Sequence, residues 1–218
     1  MEDSLEEMSS FFDKRIETYE DHMMTEVHGA KEAYLEIVKY IPKIDQMRLV
    51  DLGCGTGLEL EEIYKKNPSL LVTAIDLSKE MLAKLRKKYV DKNIKLNKMS
   101  YFDFNYGEGN YEAALSCMTL HHFTPQEKIG LYQKLYNGLV PGGRYVECDY
   151  MIEEQEFEDF CFAESKRIRE ENGIVEGIYH YDTPCTVENQ IKMLLQAGFS
   201  KVEKVWKIGN TTILVCYK

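Results

Sequence analysis

None of the six cysteines, at positions 54, 117, 148, 161, 185 and 216, forms a Cys-x-x-Cys pair, so zinc-ribbon and dithiol-redox motifs have no support. No apolar stretch approaches the length of a membrane span. No apolar run follows Met1 either, because the chain starts Glu2-Asp3-Ser4-Leu5-Glu6-Glu7. No membrane partner is expected, and a reduced, cytoplasmic setting is the simplest expectation. Basic residues are in the minority, with 27 Lys and Arg against 37 Asp and Glu and a formal net charge of -10. This weighs against nucleic acid as a partner, since a grip on phosphate backbones needs clustered cations. The cluster that exists, Lys84, Arg86, Lys87 and Lys88, reads as the solvated face of a helix. Internal repeats and low-complexity segments are also missing. What remains is a chain of 218 residues, 44% apolar and 29% charged, the size and mixture of one soluble globular domain.

Against that background one passage stands out. Residues 49–57 read Leu-Val-Asp-Leu-Gly-Cys-Gly-Thr-Gly, a short apolar strand that runs into three glycines. Glycines at 53, 55 and 57 let the backbone turn tightly and approach a ligand that a Cβ would obstruct. A helix expected from Leu58 onward would turn its free N–H groups toward that ligand. Asp76 closes the next apolar run, about twenty residues on, where a carboxylate can accept from both hydroxyls of a ribose. The spacing is Gly-x-Gly-x-Gly, and Leu58 stands where a dinucleotide fingerprint continues. No Lys or Arg lies between Val50 and Tyr64, whereas Asp51 and Glu59 do. Such a loop suits a ligand with a cationic amino or sulfonium group better than a pyrophosphate.

Taken in order, Asp51-Leu-Gly-Cys-Gly-Thr-Gly57, Asp76, His121-His122 and Leu139-Val-Pro-Gly-Gly143 resemble the class I S-adenosylmethionine-dependent methyltransferases. The resemblance runs from about residue 45 to the C-terminus. It implies an α/β fold: a Rossmann-like, seven-stranded, mostly parallel sheet with helices on both faces. The cofactor, S-adenosyl-L-methionine, would bind at the C-terminal strand edge.

The pattern of elements agrees with that expectation. Residues 1–28 read as an N-terminal helical segment and 29–41 as a helix stopped by Pro42. Strands are expected at 48–52, 71–76, 94–98 and 111–117, with helices at 57–66 and 79–89. Thr124-Pro-Gln-Glu127 is a capping box that starts a helix ended by Gly138, and strand 144–150 follows the Pro-Gly-Gly turn. Residues 153–171 read as an acidic helical insertion before a helix at 186–197. Strands 201–208 and 211–217, joined by Gly209-Asn210, read as a tight hairpin that makes one strand antiparallel. The whole reads as one domain: cap 1–42, cofactor-binding core 45–150, insertion or lid 151–185, and C-terminal helix and hairpin 186–218.

The resemblance implies roles for particular residues. Asp51 would bond the cofactor's amino group, while Gly53, Cys54 and Gly55 form the loop around its methionine part; turn geometry alone also accounts for the glycines. Asp76 would bind the ribose, and Leu77 and Met81 would flank the adenine, with helix packing the alternative for Met81. The family often has an acid after the third strand to accept from adenine; here Ser100 occupies that place, beside Tyr101, with Asp103 as a substitute if the loop shifts. Cys117 and Met118 would border the methionine moiety. His121 or His122 would lie near the methyl donor, as base or substrate contact, or else as packing residues. Adjacent histidines are not expected to hold a metal, because neighbouring side chains diverge and no third ligand follows at the usual spacing. Asp149, at the end of its strand, is a candidate substrate contact, and Glu147 on the same face reads as structural. His180, Tyr181 and Asp182 are candidates in a polar-aromatic loop. Arg15 could pair with the cofactor carboxylate and Tyr19 could close over the sulfonium; amphipathic docking is the alternative.

Methyl transfer to a small-molecule substrate is therefore the expected activity, with a homodimer left open. A general base is required only if the acceptor must lose a proton. Rival readings are a tRNA wobble-uridine modification enzyme, a carboxy-S-adenosylmethionine synthase relative, a nicotinamide-dependent oxidoreductase and a non-catalytic binding partner. Signatures of the nucleic-acid base methyltransferases are not met: Asp/Asn-Pro-Pro-Tyr is absent, and Pro184-Cys185 falls far past the fourth strand.

Overall fold

The computed structural model describes residues 5–218, so Glu2, Asp3 and Ser4 of the acidic start lie outside the described residues. Two strands form a small sheet, β1 (Glu6–Glu7) and β7 (Tyr179–His180), paired antiparallel with Glu6 opposite His180. The main sheet has seven strands: β2 (Arg48–Leu52), β3 (Leu71–Asp76), β4 (Ile94–Lys98), β5 (Tyr111–Cys117), β6 (Leu139–Tyr150), β8 (Lys201–Ile208) and β9 (Thr211–Tyr217). Their spatial order is β4-β3-β2-β5-β6-β9-β8. All neighbours run parallel except β9, which is antiparallel to both β6 and β8. The strand order reverses between β2 and β5, the place where open α/β sheets leave a ligand crevice at the carboxyl ends of their strands.

Parallel strands covered on both faces read as continuous apolar runs. Leu49 accordingly packs into one hydrophobic cluster and its neighbour Val50 into the other. The first cluster joins the sheet to α3 (Ala30–Ile37), α4 (Leu60–Lys66) and α5 (Lys79–Lys88); the second joins it to α6 (Pro125–Gly138) and α8 (Val187–Gln196). Helix starts follow side-chain chemistry. Ser78 Oγ accepts from Met81 N at the start of α5. In α6 the capping box forms, with Thr124 N donating to Glu127 Oε2 at 2.8 Å and Glu127 N to Thr124 Oγ1 at 3.4 Å. The acidic insertion is helix α7 (Gln155–Glu171).

Three expectations are corrected. The N-terminal segment is two helices, α1 (Met8–Arg15) and α2 (Tyr19–Thr25), because Thr18 bonds back to the Arg15 carbonyl through both its N–H and its hydroxyl. Glu7 caps α1 by accepting from Ser10 N. Pro141-Gly-Gly143 is not a turn before a strand; it lies within β6, where the register slips between Tyr111 and Ala113 and the extra residues bulge out. The helix after the glycine loop starts at Leu60, after a series of turns.

Glu147 on β6 is fully buried, and its Oε1 accepts from Tyr132 Oη at 3.1 Å and from Gln190 Nε2. Burial, then the nearby Asp149 charge, push its pKa up to about 8, so it is a neutral acid at pH 7. The folded pKa lies above the unfolded one, so the stabilisation is complete below about pH 4.5 and is lost as the pH rises through 8. Glu147→Gln keeps the neutral shape. Between pH 7 and 9 the wild type should lose about 1 kcal/mol of unfolding free energy that the variant keeps. Urea denaturation at the two pH values measures this; parallel losses in both proteins would refute it.

Candidate active site

The glycine loop leaves the end of β2 with Gly53 and Gly55 at φ +61° and +47°. A Cβ on Gly53 would overlap Thr119 Oγ1, and one on Gly55 would stand 3.5 Å from Tyr19 Oη. Gly53 is required by both conformation and space, Gly55 by its positive φ alone. Asp76, at the end of β3, ties the loop to the next turn: Gly55 N donates to Oδ2 at 2.9 Å and Ser78 N to Oδ1 at 2.8 Å. A carboxylate has about four acceptor sites, so these backbone donors do not exhaust it. Burial raises Asp76 to about 6, against the pull of those backbone N–H groups.

The crevice encloses about 510 Å³ counted out to its mouth. Gly53, Gly55, Asp76, Leu77, Met81, Tyr101, Met118 and Tyr19 all line it, as expected. Met8, Phe12, Thr119 and Phe123 line it too and were not anticipated. Six residues considered from the sequence do not reach the wall. Ser100 Oγ is taken by Phe102 N in its own turn, and Asp103 is exposed. Cys54 and Cys117 are buried behind the wall. Asp51 is fully buried beneath the loop, where neither carboxylate oxygen has a hydrogen-bond donor. Burial, then the neighbouring Glu59, raise Asp51 well above the usual carboxylate range; Glu59 itself rises to about 7, mainly through burial. Arg15 lies elsewhere: it donates to Glu6 at 3.1 Å, stacks over the Phe11 ring and faces a second cavity.

That second cavity is larger, about 1840 Å³ by the same count, and shares Phe12, Tyr19, Met118 and His122 with the crevice. Met118, at this junction, holds a positive φ of 51°, rare for a non-glycine residue. Beyond it His121, His122, Tyr150, His180 and Asp182 face the open space. Asp149 is only 2% exposed and does not reach the cavity, which corrects its assignment as a substrate contact. It sits behind His121, bonded to Nδ1, and accepts from Leu120 N at 2.8 Å and Tyr150 N at 2.9 Å. Burial opposes its charge, yet the His121 ring and these bonds keep Asp149 below the usual carboxylate range. Burial likewise opposes charge on His121, but Asp149 outweighs it and raises the imidazole. His122 is lowered by burial and by His121, and His180 falls to about 4 through burial and His122. An ionised Asp149 can only accept, so Nδ1 of His121 carries a proton, and Nε2 lies 3.7 Å from Asp182, whose charge also raises the imidazole.

The two histidines do not diverge. They lie in a turn rather than on a helix or strand, and their ring centroids are 4.0 Å apart.

Comparison with known proteins agrees with this geometry. The family description "Methyltransferase domain" matches residues 49–143, from the glycine loop to the bulge of β6. The carboxy-S-adenosyl-L-methionine synthase of Wolinella succinogenes is 31% identical over 183 residues, covering 77% of this chain and 75% of that protein. The chain belongs to the class I S-adenosylmethionine-dependent methyltransferase family. The Campylobacter concisus protein of the same synthase name is 26% identical over 191 residues, covering 84% of this chain and 81% of that one. The solved S-adenosylmethionine-dependent methyltransferase from Mesorhizobium loti has the same fold at 18% identity, with a TM-score of 0.61 over 86% of this chain and 96% of that chain.

This methyltransferase is an enzyme that uses S-adenosylmethionine, and its crevice fits that cofactor. Asp76 brings acceptor oxygens to the crevice wall, beside the apolar surface of Leu77, Met81 and Tyr101. Among the described residues, no helix is long and apolar enough to cross a membrane.

Proposed function

We propose that the enzyme transfers a methyl group from S-adenosylmethionine to a hydroxyl of a small molecule held in the second cavity. The observation that carries this is the Asp149–His121 pair, which turns Nε2 of His121 toward the second cavity, one residue from His122 at the junction of the two. When bound, S-adenosylmethionine supplies a methyl group already activated by its sulfonium. The chain's task is then to hold the acceptor in line, exclude water and take its proton. His121 accepts the proton, and Asp149 orients the ring and stabilises its charged form. Phe11, Phe12 and Tyr19 of the N-terminal helices cover the junction and exclude water.

A second reading is favoured by the relatives' printed name, carboxy-S-adenosyl-L-methionine synthase. A carboxylated cofactor asks for a cation near the sulfonium. Among the described residues lining the two cavities, Arg15 is the one Lys or Arg, and it is already paired with Glu6. Mass spectrometry of the nucleoside co-purified with the protein separates the two readings. S-adenosylmethionine or S-adenosylhomocysteine, with homocysteine-form product growing on addition of a phenol or hydroxy acid, supports methyl transfer. A nucleoside heavier by one carboxylate would replace it with the second reading.

A further inference from the structure

One cluster in the second cavity is not used fully by a proton-transfer role. One ring nitrogen from each of His121 and His122 and one Asp182 carboxylate oxygen all lie within 4.8 Å of one another. Asp182 Oδ1 is 3.2 Å from His122 Nδ1 and 3.7 Å from His121 Nε2. Donors on a tetrahedral ion with bonds of about 2.0–2.1 Å stand about 3.3 Å from one another, so small side-chain rotations bring this set to bonding distance.

We propose that His121, His122 and Asp182 form a divalent-metal site of the zinc type, open toward the acceptor cavity. Four features support it. The donors, two imidazoles and one carboxylate, suit zinc and the neighbouring late first-row ions rather than magnesium or calcium. Three protein ligands leave a coordination position free, the pattern of catalytic rather than structural sites. Asp149 on His121 Nδ1 is the carboxylate that metal-bound histidines commonly carry on their far nitrogen, and it leaves Nε2 free to bind. All three ligands line the second cavity, and His122 also lines the crevice, so the free position faces the acceptor. On binding, the proton that His122 Nδ1 directs at Asp182 and the Tyr181 carbonyl moves to Nε2. An ion bound there would supply Lewis-acid chemistry to an oxygen at its free position.

Binding of the ion stands on this geometry alone; its action on the acceptor rests on the methyl-transfer reading. The test uses tag-free, chelator-stripped full-length protein titrated with Zn²⁺ by calorimetry, then loaded with Co²⁺ for visible absorption. One equivalent should bind, and Co²⁺ should show the intense bands of a four- or five-coordinate site. Asp182→Ala and His122→Ala should each weaken Zn²⁺ binding about 100-fold, and Asp149→Asn about 10-fold, as an outer partner does. S-adenosylmethionine binding to Asp182→Ala, measured in parallel, should stay within about 3-fold of wild type, since Asp182 is outside the crevice. Weak, multiple Zn²⁺ binding in the wild type, or binding as tight as wild type in Asp182→Ala or His122→Ala, would overturn the site and leave the methyltransferase reading intact.

Discussion

Asp76→Ala loses S-adenosylmethionine binding by at least about 100-fold. A charged acceptor contributes roughly 1.5–3 kcal/mol per hydrogen bond, and two ribose hydroxyls double that, at about 1.4 kcal/mol for each tenfold in affinity. The substitution also frees Gly55 N and Ser78 N, which the same carboxylate holds, so the loop around the methionine part loses its anchor. Isothermal calorimetry reads the affinity, and a thermal melt without ligand shows whether the fold survives. The wild type carries its own internal check. Because burial raises Asp76 to about 6, the binding form is the one above that pH. Affinity should be flat above pH 7 and fall as the pH drops through 6, whereas Asp76→Asn should be weak and flat across the same range. Wild-type affinity that does not move with pH would remove Asp76 from ribose recognition.

Asp149→Asn lowers kcat by about 100- to 10,000-fold, the span of a well-placed general acid or base. Asp149 does not touch the acceptor; it is a positioning residue that acts through His121. Asparagine can present an N–H to Nδ1 and so favour the wrong tautomer, and it removes the charge that raises the imidazole. The readout is therefore more than a rate. The acid limb of the pH–rate profile, which reports His121 losing its proton, should move to lower pH in the variant. A rate loss with an unmoved limb would assign Asp149 a structural role only. His121→Ala should lose a similar factor, and the double variant should lose little more than either single one, because the two side chains work as a unit.

The central strands could be read from sequence because doubly covered parallel strands leave a mostly apolar run, as in Leu71–Asp76, where Thr73 and the closing Asp76 are the exceptions. The capping box at Thr124 was equally legible, since its two bonds depend on residues three apart. The β1–β7 pairing was not. Glu6–Glu7 and Tyr179–His180 are two-residue strands without an apolar period, and their partners are distant in the chain. The crevice floor followed from glycine spacing, whereas Met8, Phe12 and Phe123 are ordinary apolar residues whose place depends on tertiary packing. Thr119 carried a usable signal, lying between Met118 and His121 on one short loop after β5. Local side-chain rules failed at His121-His122, because a turn obeys neither helix nor strand periodicity. Asp182, about sixty residues on, comes beside them only through the return of the chain before α8.

The two-residue clasp between Glu6–Glu7 and Tyr179–His180 links the segment bearing Phe12 and Tyr19 to the loop bearing His180 and Asp182. Phe11 stacks on His180 with centroids 3.6 Å apart and closes the same seam. The covering of the two cavities thus joins the N-terminal segment to the stretch before α8, so a loosening of that seam would expose both at once. Exchange of spent cofactor and exit of product draw on the same opening event, and the pace of turnover is set at that seam whenever chemistry is the faster step.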